Sequence, residues 1–296
     1  MNYKSYKLPC FNLLPILYDI AGDDGNPFLK RSEIKSIYND LKNNKAYIAG
    51  GFARVVALKY FGFSNKFEPF HKLRSSDFSD IDFYFPKITP KVDKDFKNNL
   101  NYRSRKDVYQ SSEKLDFEQE RSCLYKQCSM LTFNILLFVH GDICDVLDSF
   151  DISTSQCAVD IVNNRLIVRE DFVELETKRI IRLNEAYWKP DLTNDKIGVS
   201  LSRIYKYIIR LTNSNSKNDS NIVIENFVNT MMMLYNKKSR FDGSIRIHMD
   251  LICDYLSFED KIKLQMLFDP TRFANKIVEN WSKVTFLPGK GRLYRA

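Results

Sequence analysis

Short apolar runs of strand length alternate, in the first 170 residues, with segments whose apolar positions recur at helical spacing. Strand-like runs fall near 45–49, 80–85, 121–128, 131–139, 154–162 and 165–169, each bounded by polar or turn-forming residues. Between them, Lys30 to Lys42 reads as a helix starting after the turn at Gly22–Pro27,. Phe52 to Tyr60 reads as a second helix, with Phe52, Val55, Val56, Leu58 and Tyr60 on its apolar side. A short helix fits within Gly141 to Phe150. The runs at 121–128 and 131–139 lie too close for a crossover helix, so they predict an antiparallel hairpin and a mixed rather than purely parallel sheet. From about Asp171 onward the pattern turns helical. Leu201, Ile204, Ile208 and Leu211 share one face of a helix at Ser200–Arg210,. Ile222–Tyr235, Ile245–Leu256, Phe258–Phe268 and Thr271–Trp281 each suit a further short helix, with the polar run Asn213–Ser220 as a loop. Met231, Met232 and Met233 within one of these read as core filler. The charged stretch Lys91–Lys114 predicts a helix followed by a mobile loop. The whole predicts an α+β chain without internal repeats: an N-terminal helical lead at 1–44, a mixed-sheet core at 45–170 and a helical C-terminal domain at 171–296.

Two places in this pattern carry candidate chemistry. The run Ala46-Tyr47-Ile48-Ala49 ends in Gly50-Gly51, and a helix follows at once. Glycine lets the backbone turn sharply and approach a ligand closely, and the N–H groups opening the helix favour an anion. The second place is the strand Asp80-Ile81-Asp82-Phe83-Tyr84-Phe85. Side chains alternate along a strand, so Asp80 and Asp82 share one face while Ile81 and Phe83 share the other. Two carboxylates on one face repel unless a cation lies between them. Mg²⁺ takes oxygen ligands, commonly one or two carboxylates plus substrate phosphates. Either motif alone is ordinary, a turn or a solvated strand end; strand, glycine pair, helix and carboxylate strand in that order are not.

Gly50-Gly51 followed by Asp80-x-Asp82, with Ser79 before Asp80, resembles the DNA polymerase β-type nucleotidyltransferase superfamily. Its pattern is an apolar residue, a glycine pair, a spacer, Asp-x-Asp on a strand, and a third carboxylate on a later strand. The spacer is longer here and includes Lys66, His71, Lys72 and Arg74, which reads as a basic loop beside the site. Many members place the third carboxylate where this chain has Asn134 and apolar residues. Virus- and phage-encoded relatives instead show Ser-Phe-Asp followed by a Gln-Cys-bearing strand, which Ser149-Phe150-Asp151 and Gln156-Cys157 resemble. The resemblance therefore implies Asp151 as third carboxylate, with Asp160 as the alternative; the rival reading of Asp151 is a helix or turn cap. Arg203-x-x-Lys206-Tyr207 resembles the Arg-x-x-Lys-Tyr helix that follows the sheet in such enzymes. It implies that Lys206 meets the triphosphate, Tyr207 lies near the nucleoside and Arg203 belongs to the same nucleotide-binding face. Arg54 either assists the phosphates or solvates its helix.

Composition constrains the rest. At 296 residues and 44% hydrophobic residues, the chain has material for one long or two medium domains,. Lys and Arg number 45 against 37 Asp and Glu, a net charge of +8, which suits phosphate-bearing partners such as RNA. The basic end Gly289–Arg295 reads as a solubilising terminus or a nucleic-acid contact, the first being favoured. Six cysteines form no Cys-x-x-Cys pair and the sequence shows no signal peptide, which predicts reduced thiols and a cytoplasmic setting, the host cytoplasm for a viral protein,. Three separated histidines make no zinc motif, and no apolar run approaches the length of a membrane span.

The resemblance implies a nucleotidyltransferase with Mg²⁺ or Mn²⁺ held by Asp80, Asp82 and Asp151. It would move an NMP from an NTP such as ATP to an acceptor hydroxyl, an RNA or tRNA 3′ end or a protein, with release of pyrophosphate. The alternative is a catalytically inactive protein of the same fold, serving a virus or phage as a structural or regulatory binding module.

Overall fold

In the computed structural model the described residues are 2–22, 31–63, 80–87, 103–104, 123–128, 131–213, 222–238, 241, 243–268, 284–285 and 294–295. Two compact units divide the chain at Met1–Tyr187 and Trp188–Ala296. The expected helix at Thr271–Trp281, the loop Asn213–Ser220 after its first residue and nearly all of Lys91–Lys114 lie outside the described residues, as does Ser79.

The first unit is built on an eight-stranded mixed sheet. Its strands are β1 (Tyr3–Lys7), β2 (Tyr47–Ala49), β3 (Asp80–Phe85), β4 (Arg103–Ser104), β5 (Cys123–Cys128), β6 (Leu131–His140), β7 (Cys157–Asp160) and β8 (Arg165–Arg169), in the order β1-β8-β7-β2-β3-β6-β5-β4. Every adjacent pair is antiparallel except β3 and β6, which run parallel. The expected hairpin forms between β5 and β6, with Cys128 opposite Leu131.

Alternation in β3 decides which face does what. Ile81, Phe83 and Phe85 are buried in the larger core with Phe133 and Ile135 of β6. Helices α1 (Leu13–Gly22), α2 (Arg31–Asn43) and α3 (Gly51–Tyr60) close over that face, contributing among others Leu17, Ile37, Phe52 and Val56. Phe83 meets Phe133 edge to face at 6.0 Å and 89°; such a pair adds about 0.5–1.5 kcal/mol to the roughly 1.5–3 kcal/mol gained by burying each ring. On the opposite face a smaller core joins Ala49, Tyr84, Leu136 and Ala158 to Ile143, Val146 and Leu147 of α4 (Ile143–Asp148). Asp80 and Asp82 share this second face with Tyr84. Asp142 caps α4, accepting a hydrogen bond from the Cys144 N–H at 2.8 Å,.

Local chemistry moves several boundaries. The lead at 1–44 holds β1 and α1 besides the expected helix, which spans Arg31–Asn43. The strand expected from residue 154 is delayed by a 3₁₀ turn at Ser153–Ser155, where the Ser155 hydroxyl donates back to the Ile152 carbonyl at 2.7 Å,. In the second unit, α6 spans Asn194–Asn213 and buries Leu201, Ile204, Ile208 and Leu211, the face that periodicity picks out. The helix expected at Ile222–Tyr235 is shorter: Val223–Glu225 is extended and α7 runs Phe227–Lys238. The β-branched Ile222-Val223-Ile224 favours extended backbone, and Asn226 takes φ 64° at the junction, a conformation Asn tolerates. Helices α8 (Gly243–Cys253) and α9 (Phe258–Phe268) follow. Among the described residues no helix is long and apolar enough to cross a membrane, and Cys10, Cys144, Cys157 and Cys253 are free thiols.

Candidate active site

Three strands bring the two motifs together. In β2 and β3, Ala49 lies opposite Asp82; in β3 and β6, Asp82 lies beside Asn134 and Asp80 beside Thr132. The residue after Ala49 is Gly50, which leaves the strand at φ 80°, ψ −137° and opens α3 as its N-cap. Its N–H donates to the Cys157 carbonyl at 3.1 Å. A Cβ built on Gly50 would stand 3.8 Å from Asp82 Oδ2 and 3.6 Å from the Phe150 ring, while one on Gly51 would meet nothing within 4 Å. The glycine pair thus faces Asp82 on one side and open space on the other. The positive φ at Gly50 is a conformation that residues with a Cβ adopt at a cost.

Asp80 and Asp82 are half-buried on one face of β3. Asp82 Oδ1 accepts a hydrogen bond from the Asn134 amide at 2.7 Å, and Asn134 is buried. At the position where many resembling enzymes carry a carboxylate, this chain has an amide donating to Asp82. Among the described residues no group of three His, Cys, Asp or Glu side chains converges as a metal set. The donors present nevertheless suit a hard divalent cation: two carboxylates, all oxygen, in the number that Mg²⁺ or Mn²⁺ takes from a protein when phosphates supply the rest. Glycine at position 50 leaves clear the space beside Asp82 Oδ2 that a side chain would fill.

Asp151 is buried in the bend that follows α4. Its neighbour Phe150 is the ring that faces Gly50, and that ring also packs on Tyr84 at 5.9 Å. The bend is held by two buried amides. Asn184 donates to the carbonyls of Asp148 and Phe150 at 2.7 and 2.6 Å, and its own N–H donates to the Asp151 carbonyl. Gln156 donates to the Leu147 carbonyl at 2.7 Å and accepts from Arg169 at 3.0 Å. Asp160, the alternative third carboxylate, lies opposite Tyr47, at the end of β2 away from Gly50. There it accepts from the N–H groups of Val162 and Asn163 and from the Asn163 amide, the bonding of a carboxylate that shapes a turn.

Arg54 turns its guanidinium into the interior. It is 5% exposed, and its Nε and Nη2 donate to the two carboxylate oxygens of Glu176 at 2.8 and 2.7 Å. Glu176 belongs to α5 (Phe172–Thr177) and carries no motif, so sequence reading passed it over; Asn184 was missed for the same reason. Close by, Asp171 pairs with Arg169 at 2.7 Å and with Arg182. Burial pushes the Asp171 carboxyl up, but its bonds and charges from the two arginines outweigh this and hold it below the usual range,. In the second unit, Arg203 and Lys206 of α6 are exposed, whereas Tyr207 is buried with the Arg210 guanidinium 5.8 Å over its ring.

A family model described as Gabija anti-defense 2 family protein matches residues 26–179, just over half of the chain and all the elements from β2 to α5. No curated protein matches. Among similar solved structures are an apo tRNA-processing enzyme (13% identity over 86% of this chain and 60% of that one, TM-score 0.44) and the Thermotoga maritima CCA-adding enzyme complexed with tRNA (14%, 97% and 58%, TM-score 0.44). Another is a CCA-adding enzyme in complex with ATP (14%, 97% and 58%, TM-score 0.46). The chain thus spans 58–60% of the length of these three proteins, and at such low similarity none of them assigns it an activity.

Proposed function

We propose that this chain, which belongs to the Gabija anti-defense 2 family, is a metal-dependent nucleotidyltransferase of the DNA polymerase β type. The observation that carries the reading is the approach of the Gly50 turn to Asp82, 3.8 Å from Oδ2 to the missing Cβ, with Asp80 on the same face of β3. In this reading the first unit binds an NTP, ATP among the candidates, at the end of β2 and β3. The backbone at Gly50-Gly51, with Ser79, receives the phosphates. Asp80 and Asp82 would hold Mg²⁺ or Mn²⁺, with substrate phosphates as its other ligands, and the ion would supply charge stabilisation for in-line displacement. The acceptor hydroxyl oxygen attacks the α-phosphorus, the bond to the β-phosphate breaks, and pyrophosphate departs; Asp151 takes the hydroxyl proton. The acceptor class is an RNA or tRNA 3′ end or a protein hydroxyl, reached in the host cytoplasm of a phage.

One observation favours a second reading. Asn134 offers Asp82 an amide, so the carboxylate has a hydrogen-bond partner without any metal. A binding module that counters a defence system without chemistry would keep the same fold. Calorimetry with Mg²⁺ and each NTP separates the two. The enzyme reading expects one nucleotide to bind the wild type and to bind Asp82→Asn at least tenfold more weakly; no binding of any nucleotide assigns the chain to the module.

A further inference from the structure

We infer that Arg54 and Glu176 are positioning residues that fix the Gly50-Gly51 turn against Asp82; this rests on the nucleotidyl transfer reading and concerns the same site. The start of α3 has no side-chain cap of its own, because its N-cap is Gly50. Arg54, in the first turn, ties that start down twice. Its backbone N–H donates to the Gly50 carbonyl at 2.9 Å, closing the first helical hydrogen bond on the turn itself. Its side chain reaches Glu176, 122 residues away, in a two-pronged bond at 2.8 and 2.7 Å. The Gly50 N–H is held from the other side by the Cys157 carbonyl.

The burial of the pair argues for orientation over stability. Both side chains are about 95% buried, at 6% and 4% exposure. Withdrawing two charges from water offsets most of what their attraction returns, so apolar residues of similar size often stabilise a fold as well or better. What an apolar pair lacks is direction: a planar fork on a carboxylate fixes angle as well as distance. A site that binds phosphates through backbone N–H groups needs that angle, since small misplacements of a binding group cost much of its effect. Arg54, with its guanidinium on Glu176, thus acts on the turn through Gly50 rather than by touching phosphates or solvating its helix.

The test uses two variants of the full chain, Arg54→Lys, which keeps the charge and loses the fork, and the double variant Arg54→Met/Glu176→Leu, which removes the charges and keeps the volume. Melting temperature and calorimetric Kd are measured for each with whichever Mg²⁺ complex of ATP, GTP, CTP or UTP binds the wild type. The expected result is a double variant that melts at or above the wild-type temperature yet binds the nucleotide at least tenfold more weakly, with Arg54→Lys weakened in the same direction. Binding within twofold of wild type by both variants overturns the assignment, and so does an affinity that falls only in step with the melting temperature. A wild-type chain that binds none of the four complexes defeats the nucleotidyl transfer reading itself, an outcome visible before any variant is made.

Discussion

Alanine placed at Gly50 and at Gly51 should move stability in opposite directions, although the two residues are adjacent. At Gly50 the space is adequate: the new Cβ would sit 3.6 Å from the Phe150 ring and 3.8 Å from Asp82 Oδ2, both ordinary contact distances. The cost lies in the backbone, at φ 80° and ψ −137°, a region that belongs almost wholly to glycine. Holding alanine there costs about 1–3 kcal/mol, offset by about 0.4–1 kcal/mol from the narrower unfolded ensemble. The central net cost is about 1.3 kcal/mol, and in a unit of this size each kcal/mol shifts the midpoint by about 2–4 °C. Gly50→Ala is therefore expected to melt about 3–5 °C below wild type. Gly51 opens a helix with nothing within 4 Å of its Cβ position, so alanine there gains about 0.5–1 kcal/mol and the midpoint rises by about 1–4 °C. If the proposed phosphate-binding role of the turn holds, nucleotide affinity falls in both, because each methyl occupies space beside the backbone that a phosphate would approach. Thermal melts followed by circular dichroism read the stabilities, and calorimetry the affinities. Gly50→Ala melting with the wild type, or Gly51→Ala losing as much stability as Gly50→Ala, refutes the account of the turn.

Three further outcomes are expected. The depressed Asp171 carboxyl contributes stability that is fully present above its unfolded-state value and is lost as pH falls through the lower folded-state value. Asp171→Asn should therefore be less stable than wild type at pH 7 and show a shallower acid loss below about pH 4; parallel acid profiles would count against the Arg169–Asp171–Arg182 cluster. Asn134→Asp puts a carboxylate within hydrogen-bond distance of Asp82, so the apo variant should melt lower than wild type and regain more on addition of Mn²⁺ than wild type does; equal responses to the metal would mean that Asn134 is remote from any cation. Phe83→Ala removes a fully buried ring from the larger core and should cost about 3–5 kcal/mol; a loss below about 1 kcal/mol would show that the β3 side chains are not packed as described.

The parts of the fold legible in the sequence were those with local signals. The strands Asp80–Phe85 and Arg165–Arg169 and the helix Phe258–Phe268 begin and end where pattern and turn chemistry put them, and the close spacing of β5 and β6 foretold their hairpin. The glycine pair and the Asp-x-Asp were visible because each is a motif within one element. Hidden were the features made by pairing across the chain. Nothing near Arg54 announces Glu176, which becomes its partner only when folding brings α5 within bonding reach of the Arg54 side chain, and Asn184 is an unremarked polar residue until it reaches the Phe150 carbonyl. Asn134 was noticed for the carboxylate it lacks, but its bond to Asp82 depends on the parallel register of β3 and β6, which alternation within one strand does not reveal. The extension of Val223–Glu225 was lost to a helical pattern whose first residues are β-branched.

The most direct test is incubation of the purified chain with α-³²P-labelled NTPs, Mg²⁺ and total RNA or cell lysate, beside Asp82→Asn matched to it in folded content. The wild type is expected to transfer label to an acceptor and release pyrophosphate, and Asp82→Asn to do neither. Equal labelling by Asp82→Asn, or a wild type that binds nucleotide but labels nothing, would contradict the proposed nucleotidyl transfer.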